Sequence, residues 1–427
     1  MIKILDLRQA GGAAAVERLR SDELRAYEEA VRPILAAVRA EGDRALLRYA
    51  RQFDGLADQP LRVSAEELEE AGQQLGAEIR QAAETARRNI WQFAKTQLPE
   101  ERFEEYSPGR MLGWIIRPLE AVGCYVPSGR YPLPSTLLMT VVLAQAAGVP
   151  RICVASPRPS REILGCAYLL GVREVYRVGG AQAIAALAYG TETIPRVERV
   201  VGPGNAYVAA AKKLVAGDVG IDFIAGPTEI VILASDGDAR WIAADLLAQA
   251  EHDPAARAIL ITTSESLAHQ VCSELERQLQ DLPTAATARA SIDSASAIYL
   301  VRTMEEGIEI CNRLAPEHVS LHDPSWVGKI QNAGCIFLGP GSPEAAGDYA
   351  AGPSHVLPTN GAARLRGGLS AADFVKLIAV QQLSPRALQE LAPAITTLAR
   401  AEGLEAHARS IEIRLREVQF VSAISQN

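Results

Sequence analysis

The chain has 427 residues, more than one ordinary hydrophobic core organises, so two or three units are expected. Its 48% apolar and 22% charged residues exclude extended disorder. A formal net charge of −8 gives no general attraction for nucleic acid or an anionic membrane surface, leaving a small molecule as the expected partner.

The N-terminus, MIKILDLRQAGG, meets Lys3, Asp6 and Arg8 before any long apolar stretch, so no secretory signal is expected. Residues 21 to 104 are charge-rich and helix-like, with Ser21 as a candidate N-cap and Asp22 and Glu23 in the favourable first turn. This part reads as scaffold. The run LLMTVVLAQAAGV from Leu137 carries Thr140 and Gln145 and is too short to cross a bilayer; it predicts a buried helix. From about 120 onward short β-rich runs appear, RICVAS, REVYRV and RVERVV, each followed by Gly or Pro and then an Ala-rich helical segment. That alternation predicts βαβ units and a parallel sheet covered by helices.

A second series follows: EIVILAS (229–235), RAILITTS (257–264), SAIYLVRT (296–303), EHVSLH (317–322) and GCIFLG (334–339). Two α/β units in tandem are the simplest account, with a boundary near IAGPT at 224–228. Between the first two runs, DLLAQAEHDP (245–254) predicts the last turns of a helix, capped near Asp236 or Asp238 and stopped by Pro254. Its periodicity puts Ile242, Ala243, Leu246, Leu247 and Ala250 on one side, and Asp245, Gln249 and His252 opposite, on a solvated face. The Gly- and Pro-rich stretch 339–368 predicts a long loop of functional kind. After 371 a helix is expected, then a strand at IEIRLREVQF (411–420).

Six scattered cysteines without a CxxC pair fit reduced thiols and a cytoplasmic location. Cys124 and Cys335 are candidate nucleophiles toward an aldehyde, but their apolar neighbours favour buried, inert thiols. Of six histidines, His269 and His322 read as structural or exposed. His252, His407, Asp348 and the Gln249 amide oxygen together form a nitrogen and oxygen set suited to zinc. Against this, the signal is weak: the positions are scattered, Asp348 alone reads as an Asx turn and His407 as a partly buried helix residue. Glu317 and His318 place a base and an acid side by side; the competing reading is a hydrogen-bonded strand end. VGGAQAIAAL (178–187) and VGPGNAYVAA (201–210) run from a strand through glycines into a helix, offering either backbone N–H groups to a phosphate or plain tight turns.

Taken together, GCYVPSGRYPLPSTLLM, VGGAQAIAALAYGT, VGPGNAYVAAAKKLV, IDFIAGPTEI, DLLAQAEHDP, LAPEHVSL, GDYAAGPSHVLPT and EGLEAHARS closely resemble the histidinol dehydrogenase family over about 120–410. The resemblance implies an α/β fold of two Rossmann-like parallel-sheet domains, with a helical N-terminal arm (1–21) and a C-terminal extension (371–427) used in dimerisation. The first domain would comprise 22–124 with 229–370, the second 125–228. It further implies oxidation of L-histidinol to L-histidine through the aldehyde, with two NAD+ in succession, in a cytoplasmic homodimer. Gln249, His252, Asp348 and His407 would hold one zinc ion, and Glu317 and His318 would move protons. Tyr125, Gln182 and Asn205 would contact NAD. Thr228, His355 and Glu402 would help position the substrate, together with the metal ligands and His318. Glu402 and His407 would act on the partner's site. Thr228 stands where some members carry Ser; both present a hydroxyl. The alternatives are a relative oxidising another alcohol such as sulfopropanediol, a thiol-dependent aldehyde dehydrogenase, or a non-catalytic metabolite-binding protein on the same fold.

Overall fold

A computed structural model describes residues 2–8, 24–128 and 131–424, with side chains to 416 in the last helix. The candidate cap at Ser21, with Asp22 and Glu23, lies outside the described residues, as does most of the expected N-terminal arm. In chain order the strands are β1 (Lys3–Asp6), β2 (Arg102–Ser107), β3 (Arg110–Pro118), β4 (Ala121–Tyr125), β5 (Arg151–Ala155), β6 (Glu174–Tyr176), β7 (Arg199–Val201), β8 (Gly220–Ile221), β9 (Glu229–Leu233), β10 (Arg257–Thr262), β11 (Ala297–Leu300), β12 (His318–Leu321), β13 (Cys335–Leu338) and β14 (Val375–Leu383). The chain forms two compact units, Met1–Gln97 with Leu119–Phe374, and Leu98–Pro118 with Val375–Asn427.

The larger unit is α/β and holds two parallel sheets. One has six strands in the order β1-β11-β10-β9-β12-β13, the other five in the order β6-β5-β4-β7-β8. In each sheet the chain order reverses beside one strand, β9 in the first and β4 in the second. Both of these strands are buried along their whole length. Continuous apolar runs such as EIVIL and AVGCY suit strands covered on both faces. The strand runs expected between 151 and 339 all form, and the run from Leu137 supplies most of the helix Pro134–Ala146, which is buried nearly all round. The helix Ala239–Ala250 is capped by Asp238, whose side chain accepts from Arg240 N at 2.8 Å. As a crossover from β9 to β10 it runs back against the strand direction. Its C-terminal end therefore comes to the edge of the sheet where β9 and β12 begin.

Three expectations are revised. The stretch 339–368 contains a short helix, Glu344–Tyr349, and a 3₁₀ turn, Ala362–Arg364. The smaller unit also corrects the C-terminal reading. Val375–Leu383 is a strand, paired antiparallel with β3 from Val375↔Pro118 to Leu383↔Arg110, where a helix was expected. IEIRLREVQF lies within a helix, Glu405–Ile424, and is not a strand. The alternating pattern is outweighed there by the lack of Gly or Pro and by helix-spaced pairs: Glu405 with Arg409 at 3.1 Å, and Arg414 Nη1 donating to Ser410 O.

Candidate active site

Chemistry-bearing side chains gather at the amino-terminal edge of the six-stranded sheet. Glu317 immediately precedes β12 and His318 opens it, paired in register with Ile230 of β9. Both are buried, at 6% and 3% exposure. Glu317 Oε2 accepts from Thr228 Oγ1 at 2.5 Å and from Glu229 N at 3.0 Å. His318 Nδ1 lies 3.1 Å from Glu229 O. A carbonyl oxygen only accepts, so Nδ1 carries the hydrogen and Nε2 is the nitrogen free to exchange protons. That Nε2 is buried and without a hydrogen-bond partner among the described residues, with Asp348 Oδ1 3.7 Å away.

Gln249 is fully buried. The helix periodicity that placed it on a solvated face is correct about the helix and wrong about the environment, because the chain around Thr228 and the helix Glu344–Tyr349 wall that side. Its amide spans Thr228 Oγ1, at 2.6 Å, and the Glu344 carboxyl, at 2.6 and 3.2 Å. A chain thus runs Glu317, Thr228, Gln249, Glu344, with three contacts but only two hydrogens supplied by the hydroxyl and the facing amide. The third must be a carboxyl proton. Burial pushes the Glu344 carboxyl up to about 8, with the nearby carboxylates adding to it. We place the proton there: Glu344 donates to the Gln249 carbonyl, the amide donates to Thr228, and Thr228 donates to an ionised Glu317. This direction suits Glu317, whose Oε2 already accepts a backbone N–H.

Asp348, one helical turn after Glu344, faces the same space. Its Oδ2 is 3.9 Å from His252 Nε2. Its own carbonyl lies 2.8 Å from His355 Nδ1, and His355 Nε2 is 3.1 Å from Thr136 Oγ1, so both nitrogens of His355 are engaged within the protein. Burial lowers the affinity of His318 for a proton, but Glu344, Glu317 and Asp348 overcome this and raise its pKa well above the usual value. His318, Glu344 and Asp348 each offer a ligand atom, all within 4.8 Å of one another. Glu344 escaped the sequence reading, although its i, i+4 spacing to Asp348 after Pro343 puts the two carboxyls on one face.

The remaining candidates lie elsewhere. Tyr125 ends β4, and Gln182 and Asn205 lie in the first turn and at the N-cap of the helices after β6 and β7, all toward the carboxyl edge of the five-stranded sheet. Three glycine N–H groups of the turns there already have partners. Gly179 N donates to Asp54 Oδ2 at 2.9 Å, Gly180 N to Tyr125 Oη at 3.2 Å, and Gly202 N to Asp222 Oδ2 at 2.8 Å. Asn205 Oδ1 accepts from Tyr207 N and Val208 N. Of the two readings offered for these turns, N–H groups for a phosphate or plain tight turns, these three glycine N–H groups fit the second, since they bind two carboxylates and a phenol oxygen of the protein itself. Glu402, the C-cap of the helix Pro385–Ala401, and His407, in the first turn of the last helix, are exposed residues of the smaller unit. Burial raises the Cys124 thiol to about 12 and also raises Cys335, so neither is an activated nucleophile.

An acid–base pair fixed on parallel strands, with amide, carboxylate and imidazole donors around it, defines an α/β enzyme. The match to known sequences makes this specific: the family model described as histidinol dehydrogenase covers residues 17–415. Histidinol dehydrogenase of Thermus thermophilus is 51% identical over 393 residues, spanning 91% of this chain and 94% of that relative. That of Geobacillus kaustophilus is 47% identical over 97% of this chain and the whole of the relative. The crystal structure of histidinol dehydrogenase from Elizabethkingia anophelis superposes with a TM-score of 0.92 at 34% identity, covering 98% of this chain and 99% of that one. The chain belongs to the histidinol dehydrogenase family and is an NAD-dependent oxidoreductase.

Proposed function

We propose that the protein oxidises L-histidinol to L-histidine through L-histidinal, reducing two NAD+ in succession, as a zinc-dependent cytoplasmic homodimer at the end of histidine biosynthesis. The observation that carries this reading is the convergence of Glu317, His318, Gln249 and Asp348 at one sheet edge, in a chain whose relatives are histidinol dehydrogenases. In the first half-reaction His318 Nε2 accepts the alcohol proton while hydride leaves the carbinol carbon for the nicotinamide. In the second, Glu317 takes a proton from the water that adds to the aldehyde. His318, having released its first proton to solvent, then accepts the remaining hydroxyl proton of the hydrate anion as a second hydride departs, giving the carboxylate.

The residues present fit a divalent cation. Asp348 sits between two imidazole nitrogens, one of them a buried, unpartnered Nε2, in a set of oxygen and nitrogen donors suited to zinc. Gln249, His252 and Asp348 would hold the ion with His407, the last supplied with Glu402 by a second copy of the chain. Zinc would supply a template for the amine and imidazole nitrogens of histidinol. His318 is a base only when neutral, and the carboxylate field that favours its protonated form weakens once Asp348 is engaged by a cation. Thr228 and the His355–Asp348 contact would keep the substrate-facing groups in place, and Tyr125, Gln182 and Asn205 would contact NAD. Among the described residues no helix is long and apolar enough to cross a membrane.

The test is NADH formation from histidinol with added zinc, run beside sulfopropanediol. We expect two NADH per histidinol, loss of activity on chelation and recovery with zinc. Absence of histidinol turnover overturns the substrate, and activity that survives verified metal removal overturns the zinc requirement.

A further inference from the structure

We propose that Asp54 is a positioning residue of the dinucleotide site, an internal anion that sets the direction of the Gln182 amide. The proposal rests on the reading of Gln182 as a cofactor contact. Asp54 closes a π-helical turn, Ala50–Asp54, ended by Gly55 in the left-handed conformation. Such turns are rare and recur at functional sites. The carboxylate is buried at 7% exposure. Its Oδ2 accepts both Gly179 N at 2.9 Å and Gln182 Nε2 at 3.0 Å. It therefore occupies the start of the helix Gly180–Tyr189, where a bound diphosphate sits in a glycine-turn site.

Two consequences follow for the cofactor. With Gly179 N given to Asp54 and Gly180 N to Tyr125, these two N–H groups are not available to a diphosphate. With its nitrogen committed to a carboxylate, which only accepts, Gln182 has just its carbonyl oxygen to offer. That oxygen lies against Gly180, where a Cβ would come within 2.8 Å of it, at a glycine whose φ is +58°. What Gln182 recognises is thus a donor, either a ribose hydroxyl or the carboxamide NH2 of nicotinamide.

The Asp54→Ala substitution tests this. It removes the one oxygen that Gly179 N and Gln182 Nε2 both reach, so nothing fixes which way the Gln182 amide points. With zinc-loaded enzyme we expect KM for NAD+ to rise about tenfold or more, and kcat and KM for histidinol to stay within about threefold. NADH binding, followed by fluorescence without turnover, should weaken by a similar factor. Gln182→Ala should give a comparable loss, and adding it to Asp54→Ala should cost less than about twofold more. An NAD+-specific loss in Gln182→Ala but none in Asp54→Ala overturns the role of Asp54 and leaves Gln182 as a contact. No loss in Gln182→Ala overturns that contact and the proposal with it. Equal damage to both substrates' KM values and to kcat also overturns it. Should Asp54→Ala unfold, Gln182→Met, which keeps the Asp54–Gly179 bond and removes only the oriented amide, must show the same NAD+-specific loss.

Discussion

The Thr228→Val substitution probes the hydroxyl on which the catalytic carboxylate depends. Valine matches threonine in shape, so the change removes hydrogen bonds with little change of packing. Two contacts are lost, the 2.5 Å bond to Glu317 Oε2 and the 2.6 Å bond from Gln249. The first is charge-assisted and worth about 1.5–3 kcal/mol. The second leaves a fully buried amide N–H unsatisfied, at about 1–3 kcal/mol. Because the groups can relax toward each other, we expect about 2–4 kcal/mol of lost stability, read by urea unfolding. Glu317 keeps only the Glu229 N–H as a donor, so its carboxyl, already raised chiefly by burial, moves up further. The acid limb of kcat for histidinal oxidation should move to higher pH, and kcat should fall about 10- to 100-fold. Thr228→Ser, which restores the hydroxyl, should stay within about threefold. A valine variant with wild-type kcat and an unmoved acid limb would refute the reasoning.

Two further outcomes are expected. Burial and the Glu317 charge hold the Glu229 carboxyl at about 7 against 4.5. The folded protein thus binds this proton more tightly than the unfolded chain, and the ionised group costs stability progressively as pH rises from 4.5 through 7, by roughly 3 kcal/mol in full. Glu229→Gln can still accept from Asn360 N and should be more heat-stable than wild type above pH 7 but not near pH 4.5; an advantage independent of pH would contradict this. Mixing inactive Glu317→Ala and His407→Ala subunits should regain activity in mixed dimers if sites are built from two chains. Heterodimers that form and stay inactive would end the idea of sharing.

What was legible in the sequence were features with local causes. The strand runs between 151 and 339 and the all-round apolar helix after Pro134 follow from residue pattern alone. The failures are cases where a distant partner decides. Val375–Leu383 becomes a strand because Arg110–Pro118 offers it an edge, and Gln249 is buried because Thr228 and Glu344, 21 residues before and 95 after it, close over an otherwise polar helix face. The glycine turns failed in another way. Their shape was right, but the carboxylates that fill them come from Asp54 and Asp222, remote from Gly179 and near Gly202 respectively, and turn chemistry alone does not announce either.

The backbone of Glu229 explains why the pair Glu317 and His318 is built on strands instead of a loop. Its N–H binds Glu317 Oε2 and its carbonyl receives His318 Nδ1, so one residue of β9 holds the base and selects the imidazole tautomer together. Both bonds sit at the start of the β9 and β12 pairing, where His318 faces Ile230 in register. A one-residue slip would turn His318 to the opposite face of the sheet and separate it from Asp348. The orientation of the reactive nitrogen is thereby tied to the stability of the six-stranded sheet, which costs no mobile side chain to arrange when substrate arrives.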